Sequence, residues 1–94
     1  MNYKLQFLPE ALREWKKVNS TIQEQFKKKL EERLKNPHVP NSRLSGADNL
    51  YKIKLRSSGY RLAYEVQDEK IVVLVLAVGK RDKGDIYKKM LRRI

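Results

Sequence analysis

Basic and apolar residues alternate along two neighbouring stretches of this chain, LYKIKLR and YRLAYEV. The polar side of the alternation has four cations, Lys52, Lys54, Arg56 and Arg61, and one carboxylate, Glu65. Like charges that face each other across a sheet destabilise it. A solvated surface accounts for one such pair. Four cations with a single compensating charge favour instead a site for a polyanion such as a phosphodiester.

These residue types are sufficient for RNA cleavage. The 2′-hydroxyl of RNA attacks the adjacent phosphorus, so the protein has to orient the groups, stabilise the charge that develops and move two protons. A lysine among other cations has a lowered pKa, because the neighbouring positive charge disfavours protonation. One of the two strand lysines, Lys52 or Lys54, is therefore the candidate general base, although a less efficient one than histidine.

Other catalytic patterns are missing from the sequence. It has no phosphate-binding glycine loop, dinucleotide fingerprint, zinc-ligand spacing or Ser-His-Asp set, and no cysteine. The single histidine, His38, lies between prolines without a second histidine or a pair of carboxylates. We expect neither a general-base nor a metal-binding role for it, and we expect no metal and no cofactor.

The composition is that of a small basic protein. Its 94 residues suit one domain, which we predict to span residues 1–94. The net charge of +11 and the pI of about 10.0 are typical of a nucleic-acid binder, and less often of a protein that binds a membrane surface or an acidic partner. No apolar run approaches a membrane span and the N-terminus lacks a signal peptide, so we expect no membrane contact and a cytoplasmic location.

The two alternating stretches predict a β-hairpin that would position the cations. Ser58-Gly59 is a turn signal, since glycine accepts a positive φ. A two-residue loop there sets the register, because a one-residue slip would place lysines against leucines. The predicted pairs are Ser57–Tyr60, Arg56–Arg61, Leu55–Leu62, Lys54–Ala63, Ile53–Tyr64 and Lys52–Glu65.

A short strand and two helices are predicted before the hairpin. Tyr3, Leu5 and Phe7 alternate with polar residues, as in a strand. Pro9 suits the first position of a helix, with Trp15 in its core-facing stripe. That stripe consists of Leu8, Ala11, Leu12, Trp15 and Val18. Ser20 begins a capping-box pattern for a second helix, whose buried face is Ile22, Phe26, Leu30 and Leu34 and whose surface should pair Glu24 with Lys28.

A buried strand and a short helix are predicted after the hairpin. Residues 71–78, IVVLVLAV, form the continuous β-branched run of a central strand covered on both faces. Ile86, Met90 and Ile94 mark a last helix over residues 84–94. The predicted order is β-α-α-β-β-β-α, an α+β fold with an antiparallel sheet packed by the two N-terminal helices.

Several stretches of the sequence resemble a known family. The hairpin YKIKLRSSGYRLAYEV, the exit VGKRDK, the helical LREWKKVNSTIQEQFKKKL and Tyr87 are similar to RelE, the ribosome-dependent mRNA-cleaving toxins of bacterial toxin–antitoxin modules. The resemblance covers essentially the whole chain. It implies a RelE/ParE-like (microbial-RNase-like) fold, cleavage of mRNA in the ribosomal A site and neutralisation by a RelB-like antitoxin.

The resemblance also implies catalytic roles. Lys54 would be the general base, Lys52 and Arg61 would hold the scissile phosphate, Arg81 would serve the leaving group, and Tyr87 would stack on the mRNA base. An arginine is a poor proton donor, because its pKa stays above about 12. We therefore expect Arg81 to stabilise charge. Lys52, Lys54 and Arg61 follow from the residues alone, whereas Arg81 and Tyr87 rest on the resemblance.

Further basic residues are expected to contact mRNA or 16S ribosomal RNA: Arg56, Lys80, Lys83, Lys27 and Lys28. For the lysines of the second helix, a solvated surface with ion pairs is an equally good interpretation. The expected partners are a RelB-like antitoxin, the 70S ribosome with its A-site mRNA, and operator DNA only through the antitoxin complex. We also expect the antitoxin to displace the last helix, which is short and has a thin apolar stripe.

Two other functions are compatible with the sequence. The first is a ParE-like toxin, which shares the fold and acts on DNA gyrase. The intact cationic set argues against it, since a protein that is not a nuclease has no evident need for those residues. The second is a non-catalytic module that binds nucleic acid with the same basic face. A charge-preserving Lys54→Arg change would leave such a binder nearly intact.

Overall fold

Seven helices and strands follow one another in the predicted order. The structure is a computed structural model, and it describes residues 2–44, 48–80 and 85–93. The elements are β1 (Lys4–Phe7), α1 (Pro9–Lys17), α2 (Ser20–Lys35), β2 (Leu50–Leu55), β3 (Tyr60–Gln67), β4 (Val72–Lys80) and α3 (Asp85–Arg93), with a 3-10 turn at Pro40–Ser42. The α+β class and the order β-α-α-β-β-β-α are confirmed.

The four strands form one sheet in the order β1-β4-β3-β2. β2, β3 and β4 make an antiparallel meander, whereas β1 runs parallel to β4, with Lys4 opposite Val72. The sheet is therefore mixed: the predicted antiparallel arrangement holds for β2, β3 and β4, and the parallel β1 departs from it. The period-two pattern of β1 indicates which residues share a face. It does not indicate whether β1 runs parallel or antiparallel to the neighbouring strand.

The two faces of the sheet bury different side chains. Residues of α1 and α2, among them Phe26 and Leu30, pack on one face against the odd-numbered residues of β2 and against Leu62 and Tyr64. On the other face Met90 of α3 packs against a smaller cluster of Leu50, Ala63 and Leu76. The polar side of β2, with Lys52 and Lys54, belongs to this second face. The first face thus carries the larger core cluster, and the basic residues of β2 lie on the second.

The hairpin register differs from the prediction by two residues. Leu55 pairs with Tyr60, and Lys54 pairs with Arg61. The loop contains four residues, 56–59, and it closes with the Gly59 N–H donating to the Leu55 carbonyl at 2.9 Å while Gly59 takes a φ of 76°. Because the shift is even, every strand residue keeps its predicted face. Arg56, however, lies in the loop, so the predicted Arg56–Arg61 pair was wrong.

The first helix confirms most of its predicted features. α1 begins at Pro9. Trp15 is half-buried in the core, with its ring centroid 5.5 Å from that of Phe7 and 6.1 Å from that of Phe26. Leu12 is 38% exposed, so its place in the buried stripe was wrong. Val18 is buried but lies just past the end of the helix.

The second helix is capped one residue earlier than predicted. The Asn19 side chain accepts a hydrogen bond from the Ile22 N–H at 3.0 Å, and Ser20 is already the first helical residue. The predicted Glu24–Lys28 ion pair was wrong, because Glu24 pairs with Lys27, three residues along, at 3.5 Å.

None of the helices in the described ranges is long and apolar enough to cross a membrane.

Candidate active site

Three of the predicted catalytic side chains lie on one face of the hairpin. Lys52 and Lys54 are two residues apart on β2, and Arg61 of β3 is directly opposite Lys54. Cβ atoms of such cross-strand partners lie within about 4.5–5.5 Å of each other. Lys52 and Arg61 are half-buried, and Lys54 is exposed. The site therefore combines two half-buried cations with one that is exposed to solvent.

Tyr87 joins this group from α3. Its hydroxyl accepts a hydrogen bond from Arg61 Nη1 at 2.9 Å, and the Arg61 guanidinium carbon lies 5.8 Å from the centre of the Tyr87 ring. Four of the five predicted catalytic residues are thus in one place. The fifth, Arg81, lies outside the described residues, as does Lys83. Lys80 ends β4 opposite Tyr60, with its ammonium 5.6 Å from the centre of the Tyr60 ring.

Glu14 of α1 holds α3, and hence Tyr87, against the sheet. Its carboxylate accepts hydrogen bonds from Arg93 at 2.9 Å, from Lys89 at 3.3 Å and from the Val78 N–H at 3.1 Å. Arg93 also donates to the Leu76 carbonyl at 2.8 Å. β1 pairs with β4 only as far as Val75. Glu14 and Arg93 therefore satisfy backbone groups of β4 where the neighbouring strand has ended.

The same contacts set the protonation state of Glu14. Partial burial acts to raise the pKa of this carboxyl, but the hydrogen bonds from Arg93, Val78 and Lys89 outweigh it and lower the pKa below its ordinary value. The pKa of Arg93 is raised in turn, chiefly by its hydrogen bond to Glu14. Both groups are thus charged at neutral pH. Sequence reasoning missed Glu14, because its partners lie more than 60 residues away and no local pattern marks them.

The predicted RNA-binding residues are distributed around the site. Arg56 lies in the hairpin loop and Lys28 on α2, and both line a groove of about 640 Å³ between that helix and β2. Lys54 lines the same groove, which therefore begins at the candidate active site. Lys27 is exposed on α2 and pairs with Glu24.

His38 lies away from these cations, in a contact that the sequence analysis did not predict. Its Nδ1 is 3.0 Å from the Tyr51 hydroxyl and its Nε2 is 2.8 Å from Asp68 Oδ1, which also accepts a 2.6 Å hydrogen bond from Tyr3. The pKa of the Asp68 carboxyl is lowered, chiefly by the hydrogen bond from Tyr3 and next by the hydrogen bond from His38. In the ranges that the structure describes, no three His, Asp or Glu side chains are grouped so as to hold a metal ion.

The sequence matches a family of toxins. The family described as ParE toxin of the type II toxin–antitoxin system parDE matches residues 5–84. The chain is 52% identical over 94 residues to the mRNA interferase toxin RelE of Escherichia coli K12, and the match covers 100% of this chain and 99% of that protein. It is 49% identical over 87 residues to a putative RelE-like toxin protein of Escherichia coli, with 93% and 92% of the two chains covered.

Solved structures show the same relationship. A mutant of E. coli RelE in the free state superposes with a TM-score of 0.93 at 51% identity, over 100% of this chain and 99% of that one. The toxin in the intact E. coli RelBE toxin–antitoxin complex superposes with a TM-score of 0.82 at 55% identity, over 85% and 98% of the two chains. The archaeal RelE–RelB complex of Pyrococcus horikoshii, at 19% identity and a TM-score of 0.66, shares the fold alone. The chain therefore belongs to the RelE family, within the wider group of ParE-type toxins of type II toxin–antitoxin systems.

Proposed function

We propose that this protein is a ribosome-dependent mRNA interferase, a toxin that cleaves mRNA in the ribosomal A site and so inhibits translation. The observation that supports it most directly is the grouping of Lys52, Lys54, Arg61 and Tyr87 on one face of the sheet. This grouping occurs in a chain that is 52% identical, end to end, to a protein named mRNA interferase toxin.

The proposed reaction is an in-line transfer within the RNA. Lys54, the most exposed of the three hairpin cations, takes the proton of the 2′-hydroxyl as the 2′-oxygen bonds to phosphorus. The bond from phosphorus to the 5′-oxygen breaks, and that oxygen takes a proton from solvent water, to which Lys54 then releases the proton that it removed. The products are a 2′,3′-cyclic phosphate and a 5′-hydroxyl. Lys52 and Arg61 neutralise the charge that builds on the phosphoryl oxygens, and Arg81 stabilises the leaving oxygen.

Arg61 has enough donors for two tasks. A guanidinium has five N–H groups in a fixed fork, and the structure uses one of them on the Tyr87 hydroxyl. The others are available for phosphate oxygens while the Tyr87 ring remains in place for an mRNA base. Arg61 thereby couples the position of the base to the position of the phosphate.

The test is cleavage of ribosome-bound mRNA by purified protein, with Lys54→Arg as the decisive variant. Arginine keeps the charge but does not deprotonate at neutral pH, so we expect cleavage to fall by about 10²-fold or more, the usual contribution of a general base. Binding to programmed ribosomes should stay nearly unchanged. A matched Lys27→Arg variant on α2 should cleave like the parent. Equal cleavage by Lys54→Arg and the parent would remove Lys54 as the base.

Cleavage is proposed to need no metal ion. The candidate site is rich in cations that can neutralise the phosphate as a metal would, and the described residues offer no cluster of ligands. We therefore expect cleavage to persist when EDTA is added to ribosomes whose own Mg²⁺ is preserved. An mRNA with a 2′-deoxy nucleotide at the cleavage position should stay intact, and its cleavage would contradict the proposed chemistry.

The proposed partners follow from the relatives. RelE is described in complex with the antitoxin RelB, and we propose that a RelB-like antitoxin neutralises this protein and links it to operator DNA. Its place of action would be the cytoplasm, where the ribosomes are. A toxin acting on DNA gyrase stays the second candidate, because the matching family model bears the name ParE. Inhibition of gyrase supercoiling, without mRNA cleavage, would favour that alternative.

A further inference from the structure

A cationic cleft lies at the outer edge of β2. Its volume is about 460 Å³. The lining residues are Lys29, Arg33, Asn41, Ser42, Lys52, Lys54 and Arg56. Five of them are basic, two are neutral and polar, and none is acidic. The 3-10 turn at Pro40–Ser42 forms one wall and α2 another, and neither Arg61 nor Tyr87 is among the lining residues.

Arg33 is a half-buried cation with neutral partners. Its Nη1 donates to the Lys52 carbonyl at 3.3 Å and to the Tyr64 hydroxyl at 2.9 Å. Its Nη2 donates to Ser42 Oγ at 3.0 Å. Among the residues that the structure describes, no carboxylate lies within ion-pair distance of Arg33. Burying a charge without a counter-ion costs free energy, so an anion from outside the chain would stabilise this arrangement.

Tyr64 does not supply the missing negative charge. Burial raises the pKa of this phenol, although the hydrogen bond from Arg33 acts in the opposite direction. The hydroxyl is thus protonated at neutral pH, and it donates to the Pro37 carbonyl at 2.8 Å. Tyr64 is fully buried, so it holds Arg33 in a fixed position. Three of the five guanidinium N–H groups bind these neutral oxygens, which leaves two for a ligand.

We propose that this cleft binds a second phosphate of the RNA strand that is cleaved, adjacent to the scissile phosphate. Arg33 is the fixed charged donor, and Ser42 and Lys29 complete the site. This inference rests on the proposed ribonuclease function. The cleft shares Lys52 and Lys54 with the candidate active site, so an anion in one place is next to an anion in the other. Consecutive phosphates of one strand meet that condition better than an unconnected segment of ribosomal RNA.

The test is the salt dependence of RNA binding. The probe is a short single-stranded RNA with a 2′-deoxy nucleotide at the cleavage position, which prevents attack. Each phosphate contact contributes about 0.7 to the slope of log K against log salt for single strands. We expect Arg33→Gln to reduce the slope by about 0.7. Lys70→Gln, an equal charge loss in the exposed turn between β3 and β4, should leave the slope unchanged.

Two further variants separate phosphate binding from support of the fold. Tyr64→Phe removes a partner of Arg33 and keeps its charge, so the salt slope should not change. Ser42→Asp places a carboxylate beside Arg33. We expect it to preserve or raise the melting temperature and still to reduce the slope. If Arg33→Gln does not fold, Ser42→Asp still tests the proposal. An unchanged slope in Arg33→Gln or Ser42→Asp, or an equal reduction in Tyr64→Phe, would overturn the proposal.

Binding to 70S ribosomes without mRNA distinguishes the source of the phosphate. We expect Arg33→Gln to bind them like the parent protein. A loss of ribosome binding with unchanged binding of the RNA probe would assign the cleft to ribosomal RNA and contradict the proposal. Cleavage of ribosome-bound mRNA by the parent protein, measured in parallel, tests the ribonuclease function itself. The proposed function can thus stand if the second phosphate site fails.

Discussion

At the scale of single residues, the candidate catalytic side chains differ in their exposure to solvent. Arg61 is half-buried and donates a hydrogen bond to Tyr87, while Lys54 is exposed on the adjacent strand. A general base has to exchange a proton with substrate and solvent, and a charge-stabilising group has to stay in place. The difference in exposure between Lys54 and Arg61 therefore agrees with the roles proposed for them.

Tyr87 offers a test at this scale, because its ring and its hydroxyl do different things. The ring would stack on an mRNA base, which is worth about 1–3 kcal/mol. We expect Tyr87→Ala to slow single-turnover cleavage of ribosome-bound mRNA by roughly 5- to 150-fold. Tyr87→Phe loses only the hydrogen bond from Arg61, so its rate should lie much closer to the parent. Equal losses in both variants would show that the hydroxyl, and not the stack, matters.

At the scale of elements, α3 is a short helix held to the rest of the chain by a few apolar and polar contacts. Ile86 and Met90 bury its thin apolar stripe, Tyr87 reaches Arg61, and Arg93 reaches Glu14. A helix of this length is marginal without packing. The Glu14 contacts are therefore central to keeping Tyr87 at the site. They are also what a partner helix would have to break in order to displace α3.

Glu14→Gln should loosen α3 and change the pH dependence of stability. The folded-state pKa of Glu14 is lowered, so its contribution is present above the unfolded pKa of about 4.3 and is lost as the pH falls through the folded value. We expect the variant to be less stable at neutral pH and to lose less stability than the parent between about pH 5 and pH 3. Glu24→Gln, an exposed carboxylate on α2, is the control. Parallel stability curves for Glu14→Gln and the parent would contradict this role.

Removal of α3 should separate the two functions of this face. If an antitoxin helix takes the place of α3 on the sheet, truncation after Lys83 should abolish cleavage and spare antitoxin binding. The apolar cluster around Leu50, Ala63 and Leu76 would remain to receive the partner. Cleavage of programmed ribosomes and antitoxin affinity are measured separately. Loss of both would make α3 itself a contact surface for the antitoxin and contradict displacement.

At the scale of the whole molecule, patterns of period two and period 3.6 predicted the element order and the shared face of Lys52, Lys54 and Arg61, but not the place of Arg56 in the loop. The hairpin register was wrong, yet Lys52, Lys54 and Arg61 stayed together because the error was even. The direction of β1, the contact of Glu14 with Arg93 and the partners of Arg33 could not be predicted. Each of them depends on tertiary packing that leaves no periodic signal in the sequence.

The charge of the whole chain makes a last prediction, that ribosome-bound mRNA is cleaved much faster than free mRNA. No histidine lies among the catalytic candidates, so the base is weak and the orientation of the substrate has to supply much of the rate. Orientation contributes on the order of 7–11 kcal/mol in favourable cases. The groove between α2 and β2 and the lysines of α2 add basic surface beyond the site, and with a net charge of +11 the protein can hold ribosomal RNA while the hairpin holds the message. Single-turnover rates on free and ribosome-bound mRNA, measured over a range of salt concentrations, check this. The ribosome-bound rate should be orders of magnitude higher at saturation, and equal rates would place the whole catalytic power in the hairpin and refute the requirement for the ribosome.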